Sequence, residues 1–412
     1  MSNRLRAAID RVRLRKQAIP LHLVLAERID QLNPAHWDQV TAHRGLLCSR
    51  GYHRMLEQVR PANLDPRYAM VYRGDQPVAA LSLQWLSVQG DQLHRVEAGS
   101  GLRKAASKLT RSVIERVSVR VLMIGNQLSY GSHGISIIAG EQGAADVWHA
   151  IAEAAYRIRR AEKHAGSTDF VLIKDLLNSE LQQSAILHDL GYRKLETEPN
   201  MALSLPPRWR SYDDYLAALS AKYRKNVRSR VLKPIEEAGL RVEHAEDVES
   251  IKDRLHALYL AVHENADLRP VTLGPDYWPA LAAVAGQQIR FALIRRQDEV
   301  LGFVVTLLDD AETAVGYHIG FDRQAALDYP LYLRLLQQTI ADSIALGAKR
   351  LSLGRTALEP KAALGAKPEP LNIWLRHRQP VLNKLMRGLL GTVEHQQAPE
   401  RNPFSAAALE EV

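Results

Sequence analysis

YAMVYRGDQPVAALSLQW, residues 68–85, reads as two strands around a turn at Gly74-Asp75, and RFALIRRQDEVLGFVVTLL, residues 290–308, reads the same way around Gln297-Asp298. The two stretches align without a gap. Ala69-Met70-Val71 falls on Ala292-Leu293-Ile294, Asp75 on Asp298 and Val78 on Leu301. Each hairpin is followed by a further strand, VRVLMIG (119–125) or TAVGYHIG (313–320), then by a helix and another strand, DFVLIKDL (169–176) or KRLSLGR (349–355). A shared order of this kind predicts an internal duplication.

The helices are read from periodicity. Trp148, Ile151, Ala155 and Ile158 recur along the first, and Leu333, Leu336, Ile340 and Ile344 along the second, with Gly347 as its C-cap. GYRKLETEPNMALSL (191–205) and GAKPEPLNIWL (365–375) close the halves with a glycine, polar residues, proline and a final strand. The expected fold is therefore mixed α/β, two units each with a central mixed sheet flanked by helices. We place a basic N-terminal segment at 1–20, a first unit at 21–207, a second unit at 208–390 and a C-terminal tail at 391–412.

Composition narrows the class. With 412 residues and 46% hydrophobic content, each unit can bury its own core. One cysteine, Cys48, allows no internal disulfide, and no Cys/His cluster has structural-zinc spacing. No run of about 18 apolar residues predicts a spanning helix. The N-terminal 20 residues are basic but lack the apolar core of a secretion signal, so a cytoplasmic protein is expected. Leu5, Ile9, Val12 and Ile19 recur beside those charges, a pattern open to peripheral membrane contact as well as to a solvated helix. A net charge of +8 favours anionic partners. HExxH, CxxC, the Walker A loop and the GxSxG elbow are all missing, which argues against zinc peptidase, dithiol, P-loop kinase and classical serine hydrolase chemistry.

Four passages carry candidate function. YRKNVRSR (223–230), on a helix whose N-cap is Ser211 or Asp213 upstream, places Lys225 and Arg228 three residues apart, able to meet a phosphate or carboxylate; a solvated positive face is the alternative. On the strand AVGYHIGFD (314–322), Tyr317 can donate a proton to a leaving group and His318 can accept one from an amine, and either can equally be a core residue. LYLAVHENADLR (258–269) gathers His263, Glu264 and Asn265 at a helix end, where Asn265 is a candidate substrate contact. GRTALEPKAALGAKP (354–368) follows a strand end with Arg355, Glu359 and Lys361, either an anion-binding loop or a structural one with salt bridges to Glu359. The glycine-rich IGNQLSYGSHGI (124–135) lacks dinucleotide spacing and reads as a turn fringing a cleft.

This organisation resembles tandem acyltransferase domains of the GCN5-related (GNAT) superfamily, of the FemAB-like and BioF2-like kinds found in many bacterial proteins. The segment 211–242, AVGYHIGFD and GRTALEPKAALGAKP carry the resemblance. It implies an N-acyltransferase that moves an acyl or aminoacyl group to a primary amine of a small molecule or cell-envelope precursor, with the second unit active. It also implies that Lys361 contacts the activated donor and that Arg355 neutralises a developing oxyanion. A non-catalytic ligand-binding module on the same duplicated fold is the alternative. Acetyl-coenzyme A users of this superfamily carry a glycine-spaced pyrophosphate loop where this chain has FDRQAALDYPLYLR (321–334), so the resemblance leaves both acyl-coenzyme A and aminoacyl-tRNA as donors.

Overall fold

A computed structural model describes residues 13–14, 17–89, 118–266, 269–383, 399 and 401–406. The first half contains β1 (His22–Ala26), helices α1 (Pro34–Thr41) and α2 (Arg50–Val59), the hairpin β2 (Leu64–Arg73) and β3 (Gln76–Gln89), and β4 (Ser118–Ile124). After the short β5 (Ile135–Ile137) come α3 (Ala145–Ala161), β6 (Phe170–Leu176), α4 (Asn178–Gln183) and β7 (Arg193–Ser204). Three short helices lead into the second half: α5 (Tyr212–Ala218), α6 (Ala221–Val227) and α7 (Lys233–Glu237). That half repeats the order with β8 (Arg241–His244), α8 (Lys252–His263), α9 (Tyr277–Ala285), β9 (Ile289–Arg296), β10 (Glu299–Leu308) and β11 (Thr313–Phe321). It ends with α10 (Ala325–Asp328), α11 (Leu331–Ala345), β12 (Arg350–Ser352), α12 (Leu358–Ala363) and β13 (Lys367–His377).

The expected duplication is present, down to its turns. Arg73 pairs with Gln76 and Arg296 with Glu299, so Gly74-Asp75 and Gln297-Asp298 are equivalent two-residue turns. Gly74 has φ +59° and Gln297 φ +54°, the positive values such a hairpin turn demands.

The two halves share one sheet, ordered β1-β2-β3-β4-β6-β13-β7-β12-β11-β10-β9-β8, with β5 paired to β3. The order is a palindrome of the duplication with the last strands exchanged. β13, from the second half, sits beside β6 of the first, and β7, from the first half, sits beside β12 of the second. The sequence reading treated each sheet as self-contained; the exchange makes each half complete the other's sheet.

Side-chain alternation then sorts the core. In β9, Phe291 and Leu293 face one cluster while Ala292 and Ile294 face another. A bulge between Val300 and Gly302 shifts the phase of β10, so Val300 and Phe303 lie on the first side and Leu301 and Val304 on the second. The first cluster is common to both halves: Tyr52 and Leu56 of α2 pack with Tyr277, Trp278 and Leu281 of α9. The outer faces are covered by α3 in the first half and α11 in the second. On α11 the buried stripe includes Leu331, Leu335, Leu336, Ile340 and Ile344, whereas Leu333, expected inside, is exposed because it falls between turns of that stripe.

Ser211 is the N-cap of α5, its Oγ accepting from Asp214 N–H at 3.3 Å. Pro234 neither ends nor breaks the following helical run; it stands in the first turn of α7, and the irregularity lies just before it, as a π-helical turn over Arg228–Leu232. Most of the basic segment 1–20 lies outside the described residues. Of the stretch 391–412, Phe404 is buried against Trp209 and Tyr215 and bridges to Leu219. No helix among the described residues is long and apolar enough to cross a membrane.

Candidate functional site

The exchanged strands bring the ends of β6 and β12 together. Phe170 pairs with Val121 across β6 and β4, and Arg350 pairs with Thr313 across β12 and β11, so Phe170 and Arg350 are equivalent positions 180 residues apart. The same offset relates α4, starting at Asn178, to α12, starting at Leu358. It therefore matches Lys174 with Gly354, Asp175 with Arg355, and Leu181 with Lys361.

Asp175 and Arg355, duplicate positions with opposite charge, form an ion pair between the halves. The fully buried Asp175 also receives Lys174 Nζ and accepts the N–H of Gly131 at 3.1 Å. Lys174 Nζ donates in addition to the carbonyl of Ser129 at 2.7 Å. Tyr130 lies beside both cations, its ring centroid 5.6 Å from Lys174 Nζ and 5.4 Å from Arg355 Cζ. Two basic groups share one carboxylate in an enclosed place. Burial, and then the Arg355 charge, push the Lys174 pKa well below its usual range, and burial likewise lowers that of Arg355. The Nε of Arg355 is enclosed with no hydrogen-bond partner among the described residues.

Local backbone holds this arrangement. Asp175 has φ +59° and Ala357 φ +53°, left-handed conformations that cost a non-glycine residue about 1–3 kcal/mol each. Gly354 has φ +77°, and a Cβ there would stand 2.9 Å from the Tyr130 ring. Asn200, on the exchanged β7, accepts the Gly354 N–H at 3.0 Å and the Ser352 hydroxyl at 2.9 Å. Glu359 pairs with Arg401 rather than with Arg355, so the structural loop imagined from sequence has a different bridge.

Lys361 lies on α12, 4% exposed, without a hydrogen bond or ion pair among the described residues. Burial alone brings its pKa down to about 8. At the equivalent place on α4 stands Leu181, packed against the first half's core. The fold is thus satisfied by leucine at this position, and the amine is an addition of the second half.

Tyr317 and His318 sit where β11 parts from β12. The two strands pair only over Thr313–Val315 and Arg350–Ser352, after which Gly316–Phe321 continue apart from β12. The Tyr317 hydroxyl is 2.6 Å from that of Tyr277 and 3.2 Å from that of Tyr52, which accepts from Asn126 Nδ2 at 3.0 Å. Burial, reinforced by the two other phenols, raises its pKa well above 10. His318 is ringed by Tyr259, Tyr277, Trp278 and Tyr317. Its enclosed Nε2 has no partner among the described residues, and burial, followed by His263, lowers its pKa to about 3. His318 is consequently neutral near pH 7.

Lys225 and Arg228 are exposed, Lys225 on α6 and Arg228 opening the π turn. With Lys222 and Arg230 they form a cationic face with no ion pair among the described residues, while Arg224 is turned inward to the carbonyls of Ala217 and Leu219. Asn265 Nδ2 donates to the Ala261 carbonyl at 3.0 Å, capping α8. The structure therefore separates the sequence candidates: Arg355 joins an inter-half cluster, Lys361 is buried apart from it, and Lys225 and Arg228 face solvent.

The segment 321–334 contains no glycine, and the glycine just before it is used for packing. A Cβ on Gly320 would meet the Leu258 carbonyl carbon and the Tyr259 nitrogen at 2.7 Å, so that glycine serves the close packing of β11 on α8. Asp322 Oδ1 accepts the Ala325 N–H at 2.9 Å at the start of α10.

Lys174, Asp175 and Tyr130 were missed from sequence. Extending the repeat from the hairpins to IKD (173–175) and LGR (353–355) matches Asp175 with Arg355, but an offset of 223 in the hairpins becomes 180 here, which hides the correspondence.

An acetyltransferase (GNAT) domain family model matches residues 221–362. The crystal structure of FemX superposes with a TM-score of 0.51 at 12% identity, covering 87% of this chain and 98% of that one. A tandem GNAT protein from the clavulanic acid biosynthesis pathway gives 0.48 at 13% identity, covering 87% and 99%. The GCN5-related N-acetyltransferase from Sphaerobacter thermophilus gives 0.42 at 9% identity, covering 86% and 95%. No curated protein matches. The fold is that of the GNAT-type acyltransferases, duplicated along the chain.

Proposed function

We propose that the protein is an N-acyltransferase that moves an acyl or aminoacyl group from an activated donor to a primary amine of a small molecule or cell-envelope precursor, with the second half as the active one. The observation that carries this reading is Lys361. A buried, unpaired amine is costly, and the fold's own repeat shows that Leu181 fills the same place without that cost. We read the lysine as a ligand contact, and the resemblance to FemAB-like enzymes implies that the ligand is the activated donor.

Attack of an amine on an acyl carbonyl produces a tetrahedral oxyanion, and fixed positive charge stabilises that state more than the neutral ground state. Arg355, a guanidinium held at the junction of the halves, is suited to that role. His318 offers a neutral ring nitrogen to hold the acceptor amine, though its low basicity suits hydrogen bonding better than proton removal. Tyr317 keeps its hydroxyl within the three-tyrosine group and positions His318 beside it.

For the donor, acyl-coenzyme A and aminoacyl-tRNA are both anionic, and the exposed face around Lys225 and Arg228 supplies counter-charge for either; the absence of glycine from 321–334 is compatible with aminoacyl-tRNA. Lys361→Met keeps volume and removes only the charge. Turnover on an identified donor and acceptor is expected to fall about a hundredfold with no loss of stability at pH 7. Unchanged turnover would remove Lys361 from the donor site, whereas a wild type that binds donor or acceptor without turning them over would favour the non-catalytic binding module, a reading also helped by the engagement of Arg355 with Asp175.

A further inference from the structure

The loop after β4 holds a second constellation that the proposed transfer has not used. Ser129 Oγ lies 2.8 Å from His133 Nδ1, and His133 Nε2 lies 3.1 Å from Asp309 Oδ2. Serine and histidine come from the first half and the aspartate from the second, at the end of β10. Asp309 is buried and fixed from the other side, since its Oδ1 accepts the Leu47 N–H at 2.8 Å and its carbonyl accepts the Leu46 N–H at 2.7 Å. A carboxylate at Nε2 draws the imidazole proton to that nitrogen, which leaves the Nδ1 lone pair facing the serine hydroxyl. Such a relay is recognised by geometry and roles rather than by sequence order, which is why the missing GxSxG elbow gave no warning of it. Basic side chains stand next to it: the Ser129 carbonyl accepts Lys174 Nζ at 2.7 Å, beside the Arg355–Asp175 pair.

We propose that Ser129 is an acyl-accepting nucleophile, with His133 as its general base and Asp309 as the residue that positions His133, acting on activated acyl esters. Ser129 Oγ adds to the ester carbonyl while its proton passes to His133 Nδ1. Collapse of the tetrahedral adduct breaks the carbonyl carbon–oxygen bond, and the leaving alkoxide takes that proton back from His133. An amine then attacks the acyl-serine and loses a proton to His133, which returns it to Ser129 Oγ as the ester bond breaks and the amide is released. Water in place of the amine gives hydrolysis. The amine-transfer branch rests on the proposed function; acylation of Ser129 does not, so the two can fail separately.

The test uses the full chain with a fluorophosphonate and with p-nitrophenyl acetate, read by intact mass and peptide mapping. One adduct on Ser129 is expected, retained in Ser132→Ala, absent in Ser129→Ala, and formed about a hundredfold more slowly in His133→Asn. A wild type with no adduct on Ser129, or a His133→Asn variant labelled at the wild-type rate, overturns the proposal. Should Ser129→Ala fail to fold, Ser129→Cys keeps the size and the hydrogen bond. Its thiol is expected to react with iodoacetamide about a hundredfold faster than in Ser129→Cys/His133→Asn. Equal rates in the two overturn it. Asp309→Asn is expected to lower the Ser129→Cys rate and to move its pH profile, and an unmoved profile with an unchanged rate overturns the positioning role.

Discussion

The two halves differ most where their parallel strands meet. In the first, Val121–Ile124 pair with Phe170–Ile173 and the chain then turns away, so the loop carrying Ser129, Tyr130 and His133 fills the space beyond. In the second, pairing stops at Val315 and Ser352, and β11 continues to Phe321, leaving Tyr317 and His318 beside the parting strands. Equivalent positions have also diverged in charge: Asp175 against Arg355, and Leu181 against Lys361. A duplicated scaffold tolerates this because packing constrains only the shared apolar positions, so residues at strand ends can specialise in opposite directions.

The largest expected effect comes from breaking the charge pairing between the repeats. Asp175→Ala leaves Lys174 and Arg355 buried without their carboxylate, a loss of about 3–5 kcal/mol in urea unfolding. Arg355→Met combined with Asp175→Leu is expected to recover most of that loss. A single Asp175→Ala variant as stable as the wild type would mean that this charge pairing adds nothing to the joining of the halves.

Next in size is the pH dependence contributed by Lys361. Its pKa is about 8 in the folded chain against an ordinary value of 10.5, so between those pH values the unfolded chain holds a proton that the folded chain has released. Stability contributed by this group therefore rises with pH across that window, by on the order of 3 kcal/mol. The check is the difference in unfolding free energy between wild type and Lys361→Leu, the residue of the other repeat, followed from pH 7 to pH 11. The variant's advantage is expected to be greatest at pH 7 and to shrink as pH rises. A difference independent of pH would show that Lys361 keeps its proton in the fold.

The smallest effect on stability belongs to the exposed basic face. Lys225→Glu with Arg228→Glu is expected to change unfolding by no more than about 0.5 kcal/mol, since neither side chain has an ion pair among the described residues. Binding of aminoacyl-tRNA at low salt should nevertheless weaken, and the salt dependence of that binding should become shallower. Identical binding by both proteins at every salt concentration would remove this face from donor recognition.

The sequence by itself determined the duplication, because hairpin turns and alternating apolar residues are local properties. The pairs Arg73–Gln76 and Arg296–Glu299 stand where Gly74-Asp75 and Gln297-Asp298 placed them. It also drew attention to the charged stretch 354–368, since charged residues leaving a buried strand are legible without neighbours, while the choice of Lys361 within it came from the family resemblance. Which partner each would have was decided only by the tertiary structure. Asp175 reaches Arg355, and His133 reaches Asp309, through the shared sheet and the exchange of β7 and β13. Those pairs are separated by 176 to 180 residues, and strand order and burial, which no local pattern encodes, set both their contacts and the shifted pKa values of Lys361 and His318.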